Sequence, residues 1–510
     1  MSGSPPSLTW ESPEKQISEW NGELIRPSLG GDVRANQKLS GTKHNVFGIQ
    51  TGVAISFMVK RYRAKGCRIY YSRRPEFETA EEKLEFLSNA KLGELSVDEI
   101  RPDEKNNWLN LTTNDFQSLI PIATKESKLA KRPSKEKTVF KLFSLGIVTN
   151  RDEWTYANSP AELGKKIRYF CDTYEKERHR WNLAGRPKNT ADFVSREIKW
   201  TSELEAHLRR GTVLRFDDQH INDSLYRPFV RRVTYFAPVI THRPYQNAEL
   251  FPQSGCDNLG FSVAVEERVP FGLIATKWLP NKDLFLPSCG QVFALYRYDQ
   301  EQNKISNITD WALEQFKKHY QPGRIKHKRP ITKEAIFQYV YGVLHDPLYR
   351  EKYAQNLKKE FPRIPFYVDF WQWADWGKEL MDLHTAYEQV EPIKLIRTDI
   401  PDEKSRKAGV APKALLKADK DASRILLDSE TMLSGIPPQA WSYTLGNRSA
   451  LEWILDQYKE KKPKDPTIRQ KFDTYRFVNH KEQVIDLLLR VTTVSVRTVA
   501  IMNDMKRAQR

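Results

Sequence analysis

The residues best equipped for chemistry lie in one stretch, Tyr226-Arg227-Pro228-Phe229-Val230-Arg231-Arg232-Val233-Thr234-Tyr235-Phe236, followed by Thr241-His242-Arg243-Pro244-Tyr245. An arginine fork can pair with a phosphate or with the O6/N7 edge of guanine. Tyr and Phe rings can pack on sugars or on an unstacked base. On a single extended strand, Arg227, Phe229 and Arg231 face one way and Arg232, Thr234 and Phe236 the other. The pattern predicts a sheet with one face against nucleic acid and the other buried. A basic edge strand protected against aggregation is the plainer alternative.

Other chemistries lack their parts. Neither GxxxxGK[ST] nor GxGxxG occurs, and Ser40-Gly41-Thr42-Lys43 has the small residues and the lysine of a phosphate loop in the wrong order. Amino-methylation of a base needs an Asn/Asp-Pro-Pro-aromatic loop. The nearest triplet, Ser4-Pro5-Pro6, is followed by Ser7. Glu197-Ile198-Lys199 with Asp172 upstream fits a nuclease carboxylate–lysine site loosely and reads better as a surface ion pair on a helix. The four cysteines, Cys67, Cys171, Cys256 and Cys289, are too scattered for a zinc site or a disulfide framework. His480-Lys481-Glu482 has no Pro-Cys-x-x-Cys to complete a deaminase ligand set. No catalytic or metal-binding residue is therefore expected.

Charge points the same way as the aromatic–basic stretch. The 510 residues carry 82 Lys+Arg against 65 Asp+Glu, a formal +17, with 24 Phe, 21 Tyr and 13 Trp. So many aromatics exclude a disordered basic tail, and the surplus favours a polyanion whose counterions are released on binding. The basic groups are spread rather than gathered on one amphipathic helix, which argues against a membrane surface. One cluster is Lys125, Lys128, Lys131, Arg132, Lys135 and Lys137. A second is Arg209, Arg210, Arg215, Arg227, Arg231, Arg232 and Arg243, and a third is Lys317, Lys318, Arg324, Lys326, Lys328 and Arg329. Cysteine usage and the absence of a signal-like or membrane-spanning stretch predict a cytoplasmic protein.

The elements that must position these groups read as mixed α+β. Val46–Ile49, Val53–Val59 and Cys67–Tyr71 are expected as strands and 77–92 as a helix, with a polar connection over 94–107. The Lys/Pro/Ser-rich stretch 124–138 is expected as a basic linker between residues 1–123 and a larger region, 139–510. In that region Ser159-Pro160-Ala161-Glu162 opens a helix as a capping box. Residues 211–300 form a β-rich centre with strand-like runs at 212–216, 232–236, 260–265, 273–275 and 292–298. Helices follow within 331–390 and 480–507, where Ile336, Val340, Trp373, Leu380, Val484, Leu488 and Val491 lie on apolar stripes.

Several long strings resemble a known family: LSGTKHNVFGIQTGVAI at 39–55, SLGIVTNRDEW at 144–154, YRPF at 226–229, ITKEAIFQYVYGVLH at 331–345, LSGIPPQAW at 433–441 and LGNRSALEW at 445–453. They resemble type ISP restriction-modification enzymes, which join nuclease, helicase-like ATPase, adenine-N6 methyltransferase and target-recognition modules. The resemblance implies that 1–123 is the late, strand-rich part of a methyltransferase-like sheet, with Lys43 and His44 near its core, and that 139–510 is the target-recognition region. It implies sequence-specific recognition of double-stranded DNA, positioned for methylation or cleavage by modules not in this chain. Those modules would use S-adenosylmethionine, ATP and magnesium; none of the three is expected to bind here. Whether such modules belong to the same chain or to a partner subunit is open. The expected DNA contacts are Tyr226, Arg227, Phe229, Arg231, Arg232, Tyr235 and Arg243, with Lys128, Lys131 and Arg132 as phosphate anchors. Asn447 and Arg448 join them, DNA contact and domain packing both being open for that pair. An adenine-N6 methyltransferase in its own right, or a non-enzymatic scaffold for other subunits, are the alternative functions.

Overall fold

A computed structural model of the chain describes residues 22–32, 42–103, 108, 114–252, 255–265, 270–286, 290–320 and 329–510. It divides into two compact units, 1–116 and 117–510.

The first unit is built on a five-stranded sheet. Gly22–Gly30 lies parallel to Cys67–Arg73 and antiparallel to both Val53–Ala54 and Phe57–Lys60, and Asp98–Ile100 extends the far edge. Leu24, Ile69 and Trp108 form its small core. Helix Ala80–Asn89 starts at Thr79 with a complete capping box to Glu82. The strand expected at Val46–Ile49 is instead a run of turns that leaves the apolar Phe47 and Ile49 exposed. The long strand Gly22–Gly30 had no counterpart in the sequence reading, because Pro27 and the flanking glycines obscure it.

The second unit carries the mixed fold. The stretch expected as a linker is folded into it. Thr124 caps helix Lys125–Leu129, the Ser127 and Thr138 hydroxyls hydrogen-bond, and Lys141 donates to the Ser127 and Ala130 carbonyls. Ser159 caps the 24-residue helix Pro160–Leu183, accepting from the Glu162 N–H, and this helix buries Leu163, Ile167, Phe170 and Tyr174.

Two four-stranded sheets follow. One runs Leu279–Pro280, Ile221–Arg227, Val230–Tyr235, Tyr156–Ala157. The other runs Gly272–Thr276, Gly260–Ala264, Gly290–Ala294, Ser144–Leu145. The 212–216 run is not a strand; its Leu214 N–H is taken by the Glu175 carboxylate instead of a neighbouring strand. A third four-stranded sheet, Ile396–Asp399, Thr431–Ser434, Arg424–Asp428, Ala414–Asp419, has strands of only four to six residues, too short for their alternation to stand out in the sequence.

Behind the β-rich centre, helices Lys333–His345 and Phe370–Thr385 cross at two glycines. A Cβ on Gly377 would stand 1.8 Å from the Gln338 carbonyl oxygen, and one on Gly342 2.3 Å from that of Trp373, so only glycine permits this approach. The closing helix, Lys481–Arg507, buries Val484, Leu488, Val491 and Val494, on the expected stripe. No helix among the described residues is long and apolar enough to cross a membrane.

Candidate nucleic-acid interface

The aromatic–basic segment is a hairpin rather than one strand. Ile221–Arg227 turns at Pro228-Phe229 into Val230–Tyr235, with Val230 opposite Arg227. Proline at the first turn position fixes its φ, and Phe229 takes φ +58°, rare for a bulky side chain. Packing compensates the strain: Phe229 is wholly buried, edge-on to His384 and Tyr387 and tilted against Tyr443. The turn reverses the chain, so the predicted grouping of Arg227, Phe229 and Arg231 on one strand face does not exist.

Most of the expected contacts are consequently internal. Tyr235 is buried, stacked on Phe216, and its hydroxyl accepts the Asp217 N–H. The buried Arg227 donates to the Tyr226 carbonyl (2.6 Å) and to Asn281 Oδ1 (3.1 Å), with its guanidinium over the Tyr226 ring. Tyr226 packs on Tyr156 and donates to Asp152; burial pushes its hydroxyl up to about 12. Tyr235, Arg227 and Phe229 hold the sheet together from inside it, while the partly buried Tyr226 faces a cleft.

Arg231 is tied to Glu388 and Asp223, and Arg232 to the Tyr458 hydroxyl and Gln457 carbonyl. Lys128 is no free anchor either. Its ammonium donates to the Phe143 carbonyl and Gln246 and lies over the Phe143 ring, and burial lowers its pKa. Arg448 pairs with Asp456 and lies over Trp453, which gives it a packing role, while Asn447 holds its side-chain oxygen buried beside it. Lys131 and Arg132 are exposed, as is Arg243, which keeps a 3.8 Å pairing with Glu203. Of the third basic cluster, Arg324, Lys326 and Lys328 lie outside the described residues. In the first unit, His44 is buried and its carbonyl accepts from the buried Lys83 ammonium, while Lys43 is exposed.

What the hairpin positions is a pair of adjoining clefts that share Asp152 and Glu153. The first, about 760 Å³, is lined by Thr149, Arg151, Lys199, Thr201, Asn281 and Lys464 among others. The second, about 470 Å³, is lined by Lys165, Lys166, Arg232, Lys459, Lys462 and Lys471 with Tyr226 and Tyr475. The 144–154 string forms the floor between them. It can lie against 280–282 because Gly146 has no side chain; a Cβ there would stand 2.5 Å from the Pro280 carbonyl oxygen. Ile147 exchanges backbone hydrogen bonds with Pro280 and Lys282 across this contact.

The carboxylates of these walls are occupied. Asp152 accepts from Thr149, Asn281 and Tyr226. Glu153 accepts the Lys464 and Asp465 N–H groups, and Asp465 accepts from the Trp154 indole. Several cations are not. Lys165, Lys199, Lys459, Lys462 and Lys464 have no ion pair among the described residues, and all five are exposed on the cleft rims. Lys166 sits in the wall of the second cleft, donating to the Glu153 and Tyr156 carbonyls; burial lowers its ammonium to about 8. The loop Lys459-Glu460-Lys461-Lys462-Pro463-Lys464 is a basic cluster that the sequence expectations do not include. Its signal was present as four lysines in six residues beside a proline, between helices Ala450–Tyr458 and Pro466–Lys471.

Comparison with known proteins fits this architecture. The family model described as the Type ISP C-terminal specificity domain matches residues 138–487, more than half of the chain. The chain belongs to that family. Among solved structures, the DrdV–DNA complex matches at 41% identity with a TM-score of 0.84, over 96% of this chain and 48% of that one. A nuclease-deletion mutant of the Type ISP enzyme LlaGI, in complex with a DNA substrate mimic, matches at 23% identity and TM-score 0.78, over 96% of this chain and 44% of that one. LlaBIII, an ATP-dependent Type ISP enzyme bound to DNA, matches at 23% identity and TM-score 0.77, over 96% and 31%. The chain thus spans half or less of the length of these proteins. No protein with a curated description matched.

Proposed function

We propose that this chain recognises double-stranded DNA in a sequence-specific way, as the specificity part of a type ISP restriction-modification system. The observation that carries the reading is the rim of lysines without an ion pair among the described residues, Lys165, Lys199, Lys459, Lys462 and Lys464, around clefts floored by 144–154, a stretch inside the matched family region. Lysines without carboxylate partners release counterions when they meet phosphates, which supplies affinity and orientation; base edges supply the sequence information. Membership of the specificity-domain family supports the reading, and the matched DrdV and LlaGI structures contain DNA or a mimic of it.

In this reading the methyl donor, ATP and magnesium serve methyltransferase, ATPase and nuclease modules on the same chain or on another. The site of action is the cytoplasm, where such a system meets incoming DNA. The test is selection from a pool of random duplexes followed by sequencing of the retained fraction. One enriched short motif is expected. A retained fraction as random as the input contradicts sequence-specific recognition.

A further inference from the structure

The first cleft holds a buried cation that has no ion pair among the described residues. Arg151 is almost wholly buried, with 1% of its surface exposed, and it lines the cleft. Its Nη2 donates to the Thr201 hydroxyl, while its Nε and Nη1 are buried with no hydrogen-bond partner among the described residues. Its ring neighbour is Phe170, over which the guanidinium lies at 5.2 Å. A buried charge left unpaired is expensive, and its cost falls when an opposite charge binds nearby. Burial alone lowers the Arg151 guanidinium to about 10.

The rest of the cleft suits an oxyanion. Thr201 Oγ1 accepts from Arg151 and from the Leu204 N–H, so its own proton is left as a donor with no acceptor among the described residues. Thr201 also caps helix Ser202–Arg209, which places the positive end of that helix at the cleft wall. The ammonium groups of Lys199 and Lys464 are unpaired at the rim. The fourth cation, Lys282, already pairs with Asp283, and the remaining carboxylates, Asp152, Glu153 and Asp465, keep their charge but are held in place by hydrogen bonds from neutral groups of the protein. What the cleft has left to offer an oxyanion is unpartnered donors: the Arg151 guanidinium beneath, the Lys199 and Lys464 ammonium groups at the rim and the Thr201 hydroxyl, while its carboxylates are engaged within the protein.

We propose that the cleft floored by Arg151 is a phosphate-binding pocket, and that in the DNA complex it receives one backbone phosphate. The second part rests on the DNA-binding reading given above; the first does not. The pocket works by charge from beneath and by direct donors from the rim: Arg151 polarises the Thr201 hydroxyl, which donates to the phosphate together with Lys199 and Lys464.

The test uses the full chain and inorganic phosphate, with thermal unfolding followed at matched ionic strength in phosphate and in chloride. A ligand that binds only the folded state raises the midpoint. The expected result is a saturable rise with phosphate that is several-fold weaker in the double variant Lys199→Ala, Lys464→Ala and absent in Arg151→Met. Should Arg151→Met not fold, the lysine variant, whose changes are at the surface, decides by itself. An equal response of the wild type and the lysine variant would be the general stabilising action of phosphate as a salt, and would overturn the pocket. A second arm repeats the titration with saturating duplex DNA. Loss of the phosphate response there places a backbone phosphate in the pocket, and an undiminished response overturns the DNA half of the proposal, leaving a site for free phosphate. A chain that responds to phosphate but never binds duplex would end the DNA reading and leave the pocket standing.

Discussion

At the scale of single residues, the contrast is between arginines that hold the protein together and lysines that are free to act. Arg227 stood out in the sequence because it sits among aromatics, yet the aromatics are there to bury it. Composition shows that arginine and tyrosine are adjacent; it does not show whether their partner is a nucleic acid or each other. Replacing Arg227 by Ala removes the donor to the Tyr226 carbonyl and one of the two donors to Asn281 Oδ1, which keeps the Asp283 N–H, and is expected to cost about 2–4 kcal/mol of stability. Chemical denaturation would record this as a lower midpoint with an unchanged slope. The exposed pair Lys459→Ala, Lys462→Ala should behave in the opposite way. Stability stays within about 0.5 kcal/mol, while the dependence of log K on log salt for duplex DNA becomes shallower by about 1–2. A large loss of stability in the lysine variant, or none in Arg227→Ala, would reverse the assignment.

At the scale of elements, what was legible followed from strong periodicity. The helices beginning at Ser159, Thr332 and Lys481 announce themselves by a cap or an apolar stripe sustained over several turns. The hairpin was not legible as a hairpin, because its reversal occurs at Phe229, a residue that enters the left-handed region only when tertiary packing forces it. The clefts were equally hidden. They assemble from 149–154, 199–201, 281–283 and 464–466, segments whose proximity depends on Gly146 and on backbone bonds between Ile147 and residues 280 and 282. The Lys459–Lys464 cluster was visible in the sequence but has meaning only once it stands at the rim of a cavity. The crossing of helices Lys333–His345 and Phe370–Thr385 gives a sharp prediction for an element contact. Gly377→Ala puts a methyl group into the Gln338 carbonyl, so the helices must separate, at a cost of about 3 kcal/mol. Thermal unfolding should show the loss, and DNA affinity per folded molecule should be retained.

At the scale of the whole molecule, the second unit is sealed by a buried polar knot. His384 Nδ1 meets the Tyr341 hydroxyl (2.6 Å), its Nε2 meets Thr498 and Tyr443, and His345 packs beside it. Burial holds the His384 imidazole down to about 3 and lowers that of His345 as well. The folded state therefore keeps His384 neutral, while the unfolded chain takes up a proton below about 6.5. Stability is complete above that pH and falls as the pH drops toward 3. By pH 5 His384 alone should have cost about 2 kcal/mol. Denaturation midpoints at pH 7 and pH 5 check the sign, and His384→Asn should flatten the difference.

The same scale sets the test of the central claim, that the unpaired lysines of this basic molecule grip the phosphates of a double helix. The most direct measurement is the affinity of the full chain for a duplex containing the selected motif, taken across a range of salt concentrations. Contacts to six to ten phosphates predict a slope of log K against log salt of about −5 to −9. A slope near zero, or no binding to duplex at low ionic strength, would contradict the account.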